Sequence, residues 1–358
     1  MYMINNQRIT PQHNHTEKYQ YPNKNQGTSR RDNSIDTLKF LLICTVVFGH
    51  VIMTLGGNKI EIVIFNFIYS FHMPLFVFIS GYFTHPGEMT ERKFCEAFHF
   101  LSLFILFNLC TWLIIPRDMN FRTILTPQYA MWYLLAMFYW RFLSIFIKKE
   151  WLTWRNLCIV TVFSALVGFV PFIGEMGSFN RVACFLCFFM AGMMCHNTNF
   201  FLRVKRIPFG ILIIPMIVIF VFMLYCNSYN EGLQNIYSNA YNGSLLRFGL
   251  RTIGMFMAVL IGIGFIRISQ MRLPHLFAML GRQSLFFYLY HILFIAILQH
   301  ISNAMQFPHS FTISAFCSII IIIACSLLSK IKILNNFLQV NIFNRIASQV
   351  FYICSNKL

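Results

Sequence analysis

The sequence predicts an all-α integral membrane protein, a bundle of about ten transmembrane helices with both termini in the cytoplasm. Three observations predict it. Of 358 residues, 57% are hydrophobic and 11% charged, against about 25% charged in an ordinary soluble domain. Apolar runs approaching the roughly 20 residues that cross a bilayer recur along most of the chain. The basic residues fall in alternate connections. The N-terminal tail, loops 84–96, 148–155, 196–206 and 267–282, and the C-terminal tail hold 20 Lys and Arg, whereas the intervening loops hold only Lys59, Arg117 and Arg122. The positive-inside rule puts the basic set in the cytoplasm.

Taken in order, residues 1–34 are rich in Asn, Gln and Lys with no apolar core, a composition expected to stay disordered. The membrane domain spans 35–328, and 329–358 is a cytoplasmic or interfacial tail of mixed apolar and basic residues. The expected spans are 35–55, 62–83, 97–115, 130–147, 156–173, 180–195, 207–226, 245–266, 283–302 and 311–328. The fourth, fifth and sixth are among the shorter ones. The net charge of +17 does not indicate a nucleic-acid partner, because the basic residues are dispersed over short loops rather than gathered on one patch. The 11 Cys are mostly inside apolar segments, and Cys184 and Cys187 form one CxxC with no second pair. Neither a disulfide framework nor a metal site is expected.

The first span carries the chemistry. Within Ile35 to Val51 stand Asp36, Lys39 and His50. Eleven helical steps bring Lys39 and His50 onto one face, about 16 Å apart along the axis. Such a stripe must meet protein or water, because lipid offers no partner. The alternative is that Lys39 snorkels to the headgroups at the inner surface and His50 makes one interhelical hydrogen bond. His50 falls in the outer half. His72, in the run Phe71 to Phe83 (FHMPLFVFISGYF), falls near mid-depth beside Pro74, which removes one helical hydrogen bond and frees a carbonyl. The two alternatives for His72 are a site wall or simple satisfaction of that kink.

These runs resemble a known family. RRDNSIDTLKFLLICTVVFGHV, Arg30 to Val51, is similar to the first helix of the membrane-bound acyltransferase-3 family, whose signature is a basic residue, ten positions, then an essential histidine. The matching positions are Lys39 and His50. The run containing His72 resembles the family's second helix, MWYLLAMFYWRFL (Met131 to Leu143) its WFLxxLxxWR pattern, and GRQSLFFYLYHILF (Gly281 to Phe294) its late YLxH motif, which contains His291. The nearest branch is the fucose 4-O-acetylase-like one. The resemblance implies a multi-pass protein of the bacterial inner membrane. It implies transfer of an acyl group, usually acetyl, from cytoplasmic acetyl-CoA to a sugar hydroxyl of a surface polysaccharide or lipid-linked glycan.

On that reading His50 is the catalytic group, as general base or as nucleophile, both being within the reach of imidazole chemistry. His72 and Lys39 are further catalytic candidates. Lys39, Arg92, Lys93 and Arg141 are candidates for the donor's phosphates, although the family's RxxR at the third helix is replaced here by TERKFCEAF, and Arg92 and Lys93 read equally as a plain positive-inside pair. Arg141 lies well inside the bilayer. With Asp36 the sole acid within the expected spans, it is read as lacking a carboxylate partner. In the outer loop 227–244, Glu231 and Tyr237 are candidates for hydroxyl recognition, and Arg247 and Arg251 either meet a phosphate of a lipid-linked sugar or snorkel. The competing class is a transporter or flippase of glycan, which would call for mid-membrane carboxylates that this chain does not offer.

Overall fold

The computed structural model describes residues 32–87, 89–114, 126–170, 178–196, 198–225, 237, 239–305 and 310–355. Among these, every regular element is helical. In chain order they are α1 (Asn33–Leu55), α2 (Lys59–Tyr82), α3 (Glu91–Ile114), α4 (Trp132–Phe146), α5 (Trp154–Leu166), α6 (Phe179–Cys195), α7 (Phe200–Arg206), α8 (Phe209–Tyr225), α9 (Leu245–Ser269), α10 (His275–Gly281), α11 (Ser284–Met305), α12 (Phe311–Leu328), α13 (Lys332–Phe337) and α14 (Asn344–Ser355). Six are long and apolar enough to cross a membrane: α1, α2, α3, α9, α11 and α12. A seventh joins them if α6 and α7 form one broken span. The remaining apolar helices run 15 residues (α4), 13 (α5) and 17 (α8).

α1 is the central column. α2, α9, α10, α11 and α12 all pack on it, and Leu38, Leu42, Val47 and Val51 are wholly buried. Outer helices keep an apolar face outward: Ile211, Ile214, Val218 and Phe222 on α8 and Phe316, Ile319 and Ile323 on α12 are exposed. Lipid is the solvent that such faces match.

Local chemistry explains the helix starts and crossings. Asn58 caps α2, accepting from the backbone of Ile60 and Glu61 at 3.0 Å, while Glu61 accepts from the Asn58 N–H at 3.0 Å. This reciprocal box satisfies donors that a helix start leaves open. Glu61 is nevertheless fully buried, and its second oxygen accepts from Ser314 at 2.7 Å, which ties α2 to α12. α2 and α6 cross at two glycines: a Cβ on Gly81 would strike the Phe189 carbonyl, and one on Gly192 the Phe78 carbonyl. Small residues allow that backbone approach in the absence of a hydrophobic drive between helices. Gly281, at the end of α10, likewise lies against the carbonyl of Asp36. In the C-terminal segment α14 packs on α3, with Ala347 buried against Phe94 and Phe98.

One expectation changes. α3 begins at Glu91, so Glu96 is already in its second turn, and its carboxylate lies 3.6 Å from Arg141; Arg141 therefore has an acidic partner. His291 stands beside His50, with ring centres 5.4 Å apart. Glu231, Arg117 and Arg122 lie outside the described residues.

Candidate functional site

Three cavities follow one another through the bundle. The first, of about 420 Å³, is lined by Arg92, Lys93, Glu96, Arg141, His85 and Phe83, among others. The second, about 270 Å³, shares Arg141 and Phe83 with it and adds Lys39, Ser80, Tyr133 and Tyr288. The third, also about 270 Å³, shares Met73 with the second and is lined by His50, His72, Tyr69, Arg181, Tyr129 and Tyr237. The one-face stripe of α1 is thus split: Lys39 opens on the middle cavity and His50 on the third, with the Met73 side chain between them.

Charge is graded along this series. In the first cavity Arg92 donates to Glu96 at 2.9 Å, and Lys93 donates to the carbonyls of Gly87 at 2.5 Å and His85 at 3.2 Å. Glu96 therefore serves two arginines, Arg92 and Arg141. In the middle cavity Lys39 lies 3.6 Å from buried Asp36 and 4.7 Å over the Phe83 ring, and Arg282 approaches the other Asp36 oxygen at 3.6 Å. Lys39, Arg92, Lys93 and Arg141 are set against Glu96 and Asp36, so basic groups outnumber acids around the first two cavities.

The third cavity is built from aromatic and imidazole side chains. His72 Nδ1 donates to the Ile68 carbonyl at 2.7 Å and His291 Nδ1 to the Phe287 carbonyl at 2.9 Å. A carbonyl only accepts, so each of those nitrogens carries the proton and each Nε2 is left as an acceptor. Tyr69 stands edge-on to His72, ring centres 4.7 Å apart, and 6.4 Å from His50. Arg181 covers the Trp132 ring at 5.3 Å. His50 and His72 are both buried, yet both line a cavity rather than a sealed core.

The kink at Pro74 is answered by Tyr237, not by His72. The carbonyl deprived of its helical donor is that of Ser70, four residues back, and the Tyr237 hydroxyl donates to it at 3.4 Å. Tyr237 thereby joins the His50 cavity. Arg251 and Arg247 do not line it: Arg251 is fully buried, donates to the Asn239 carbonyl at 2.8 Å and lies 4.4 Å over the Tyr241 ring, and Arg247 donates to the Ala240 carbonyl at 3.4 Å. Both hold the backbone ahead of α9.

Sequence reasoning did not single out Tyr69, Tyr133 or Arg181. Tyr69 carried a usable signal, since it precedes His72 by three residues and so shares its helical face. Arg181 and Tyr133 carry no comparable local signal.

A helical membrane protein with a buried imidazole at the end of a cation-lined series of cavities defines the class. The particular family follows from comparison: an acyltransferase domain model of the acyltransferase-3 family matches residues 32–330, and the chain belongs to that family. It is also similar to the nodulation protein NolL of Sinorhizobium fredii and to that of Mesorhizobium japonicum, each 34% identical over 90 residues. Those matches cover 24% of this chain and 24% of each relative. No solved structure matches.

Proposed function

We propose that this protein is an O-acyltransferase of the fucose 4-O-acetylase-like branch, a multi-pass protein of the bacterial inner membrane with ten spans. It moves an acetyl group from cytoplasmic acetyl-CoA to a sugar hydroxyl of a surface or lipid-linked glycan. The observation that carries the reading is that the three cavities adjoin in series, each sharing lining residues with the next. The cations Arg92, Lys93, Arg141 and Lys39 lie at one end and His50 at the other, with Arg141, Phe83 and Met73 as shared walls.

The residues present fit an elongated, polyanionic donor. Bound there, acetyl-CoA supplies a thioester whose carbonyl is open to attack. Arg92 and Lys93 sit where phosphates would first be met, and the guanidinium of Arg141, between the first two cavities, suits bidentate contact. Lys39 acts as a point charge further in. The walls of the middle cavity, Tyr133 and Tyr288 with Phe76, Ile79 and Leu285, are mostly apolar and suit a pantetheine arm. His50 then takes the hydroxyl proton while that oxygen bonds to the acyl carbon. The C–S bond breaks, and His50 returns the proton to the departing thiolate. Proton transfer by a positioned base contributes about 10²- to 10⁴-fold. His72 Nε2 and Tyr69, at the same cavity, are placed to hold the acceptor hydroxyl. Tyr237 and Arg181 line the remaining wall.

The test is mass spectrometry of the surface polysaccharide from cells carrying wild-type protein or His50→Ala. The expected result is intact glycan lacking one acetyl mass per repeat in the variant. Glycan missing from the surface altogether would overturn the reading in favour of export.

A further inference from the structure

His291 lies outside the catalytic assignments made so far. It is wholly buried, on α11, and its Nδ1 is committed to the Phe287 carbonyl. Its Nε2 is therefore an acceptor, and that atom has no hydrogen-bond partner among the described residues. One other imidazole nitrogen shares this condition: His50 Nδ1 is also buried without a partner. The two rings belong to different helices, α1 and α11, and their centres are 5.4 Å apart, tilted by 47°. A buried polar atom left without a partner loses its hydration uncompensated. The two atoms do not bond each other as the rings stand, but on adjacent rings they become a complementary pair once the His50 ring turns with its proton on Nδ1.

We propose that His291 is a positioning residue for His50: once the His50 ring turns towards it, its Nε2 accepts the Nδ1–H of His50 and holds that ring in one tautomer and one orientation. The inference rests on the reading of His50 as the base. In a neutral imidazole one nitrogen donates and the other accepts, so fixing the proton on Nδ1 leaves the His50 Nε2 lone pair for the acceptor hydroxyl. When His50 takes up that proton, the imidazolium's Nδ1–H bond to His291 becomes charge-assisted and stronger. With that contact made, the chain Phe287 carbonyl, His291, His50 runs from a fixed helix backbone to the reacting group, each link setting the tautomer of the next. His72 is anchored in the same manner on α2, but its ring is not held through a second histidine.

Two substitutions and one measurement test this. His291→Gln keeps an acceptor near the position of Nε2, whereas His291→Met fills similar volume without one. In detergent-purified protein the expected outcome for His291→Met is a fall in kcat on the order of 10- to 100-fold, the scale on which orienting partners act, with KM for donor and acceptor unchanged. His291→Gln is expected to recover most of kcat. Equal activity in the two variants, or a loss carried by KM, would overturn the proposal. Should neither variant fold, ¹⁵N-histidine NMR of the wild-type protein decides, with the His50 signal assigned from its disappearance in His50→Gln: Nδ1 protonation is expected, and Nε2 protonation would overturn the assignment. The NMR outcome does not depend on turnover, so failure of the wild type to acylate any glycan would count against the proposed function and leave the tautomer question to be answered separately.

Discussion

The first and third cavities differ in what holds their polar groups. Around the first, Arg92 and Arg141 share one carboxylate, Glu96, and Lys93 reaches loop carbonyls at 85 and 87. Arg92 is a long side chain at a rim, 82% exposed, and Arg141 stands further in, 22% exposed. Around the third, His72 and His291 are tied at 2.7 and 2.9 Å to carbonyls of their own helices, and His50 is packed on α1 among wholly buried aliphatic residues. A flexible cationic mouth suits capture of a charged ligand, because ion pairs at a surface are weak and exchangeable. A fixed imidazole cluster suits chemistry, because catalytic groups must be held in productive geometry.

That contrast can be broken or sharpened by substitution. The largest effect is expected at the fixed end. His50→Ala should lower kcat by about 10²-fold or more, with normal yield and melting behaviour in fluorescence-detected chromatography; an unchanged kcat would remove His50 from the chemistry. At the mouth, Arg141→Ala should act mainly on KM for the donor, by about tenfold for the roughly 1.5–3 kcal/mol of a charged hydrogen bond partly screened by water. Steady-state kinetics against acetyl-CoA concentration would show it, and a pure kcat defect would contradict the division. Gly81→Leu should leave both ends intact in composition yet cost about 1–3 kcal/mol or more, since the Phe189 backbone cannot yield as a side chain can, and the loss would be read as a lower Tm of purified protein. The smallest effect is expected for Tyr237→Phe. It removes one long hydrogen bond to the Ser70 carbonyl, worth about 0.5–1.5 kcal/mol, and should lower Tm by a few degrees while kcat changes less than it does in His50→Ala.

The fixed end was more legible in the sequence than the mouth. Lys39 and His50 lie on one helix, and helical geometry converts an interval of eleven residues directly into a shared face. The same local rule made Pro74 readable as a kink. What the rule does not reach is partnership across helices. The pairing of Arg141 with Glu96 depends on α3 packing against α4 and on α3 starting six residues ahead of the expected span. The approach of His291 to His50 depends on α11 packing on α1, which joins residues 241 positions apart. Tyr237 reaches Ser70 from an outer connection whose path no periodicity describes. Glycines at 81 and 192 were visible as residues, but their mutual contact is a property of the α2–α6 crossing.

The central claim is that the cation-lined cavities communicate with His50 past Met73. Its most direct test is Met73→Trp, assayed for binding of acetyl-CoA and for acetyl transfer by the same purified protein. The expected result is donor affinity within a few-fold of wild type and transfer lost in parallel with closure of the passage. Wild-type transfer through a passage filled by indole would contradict it.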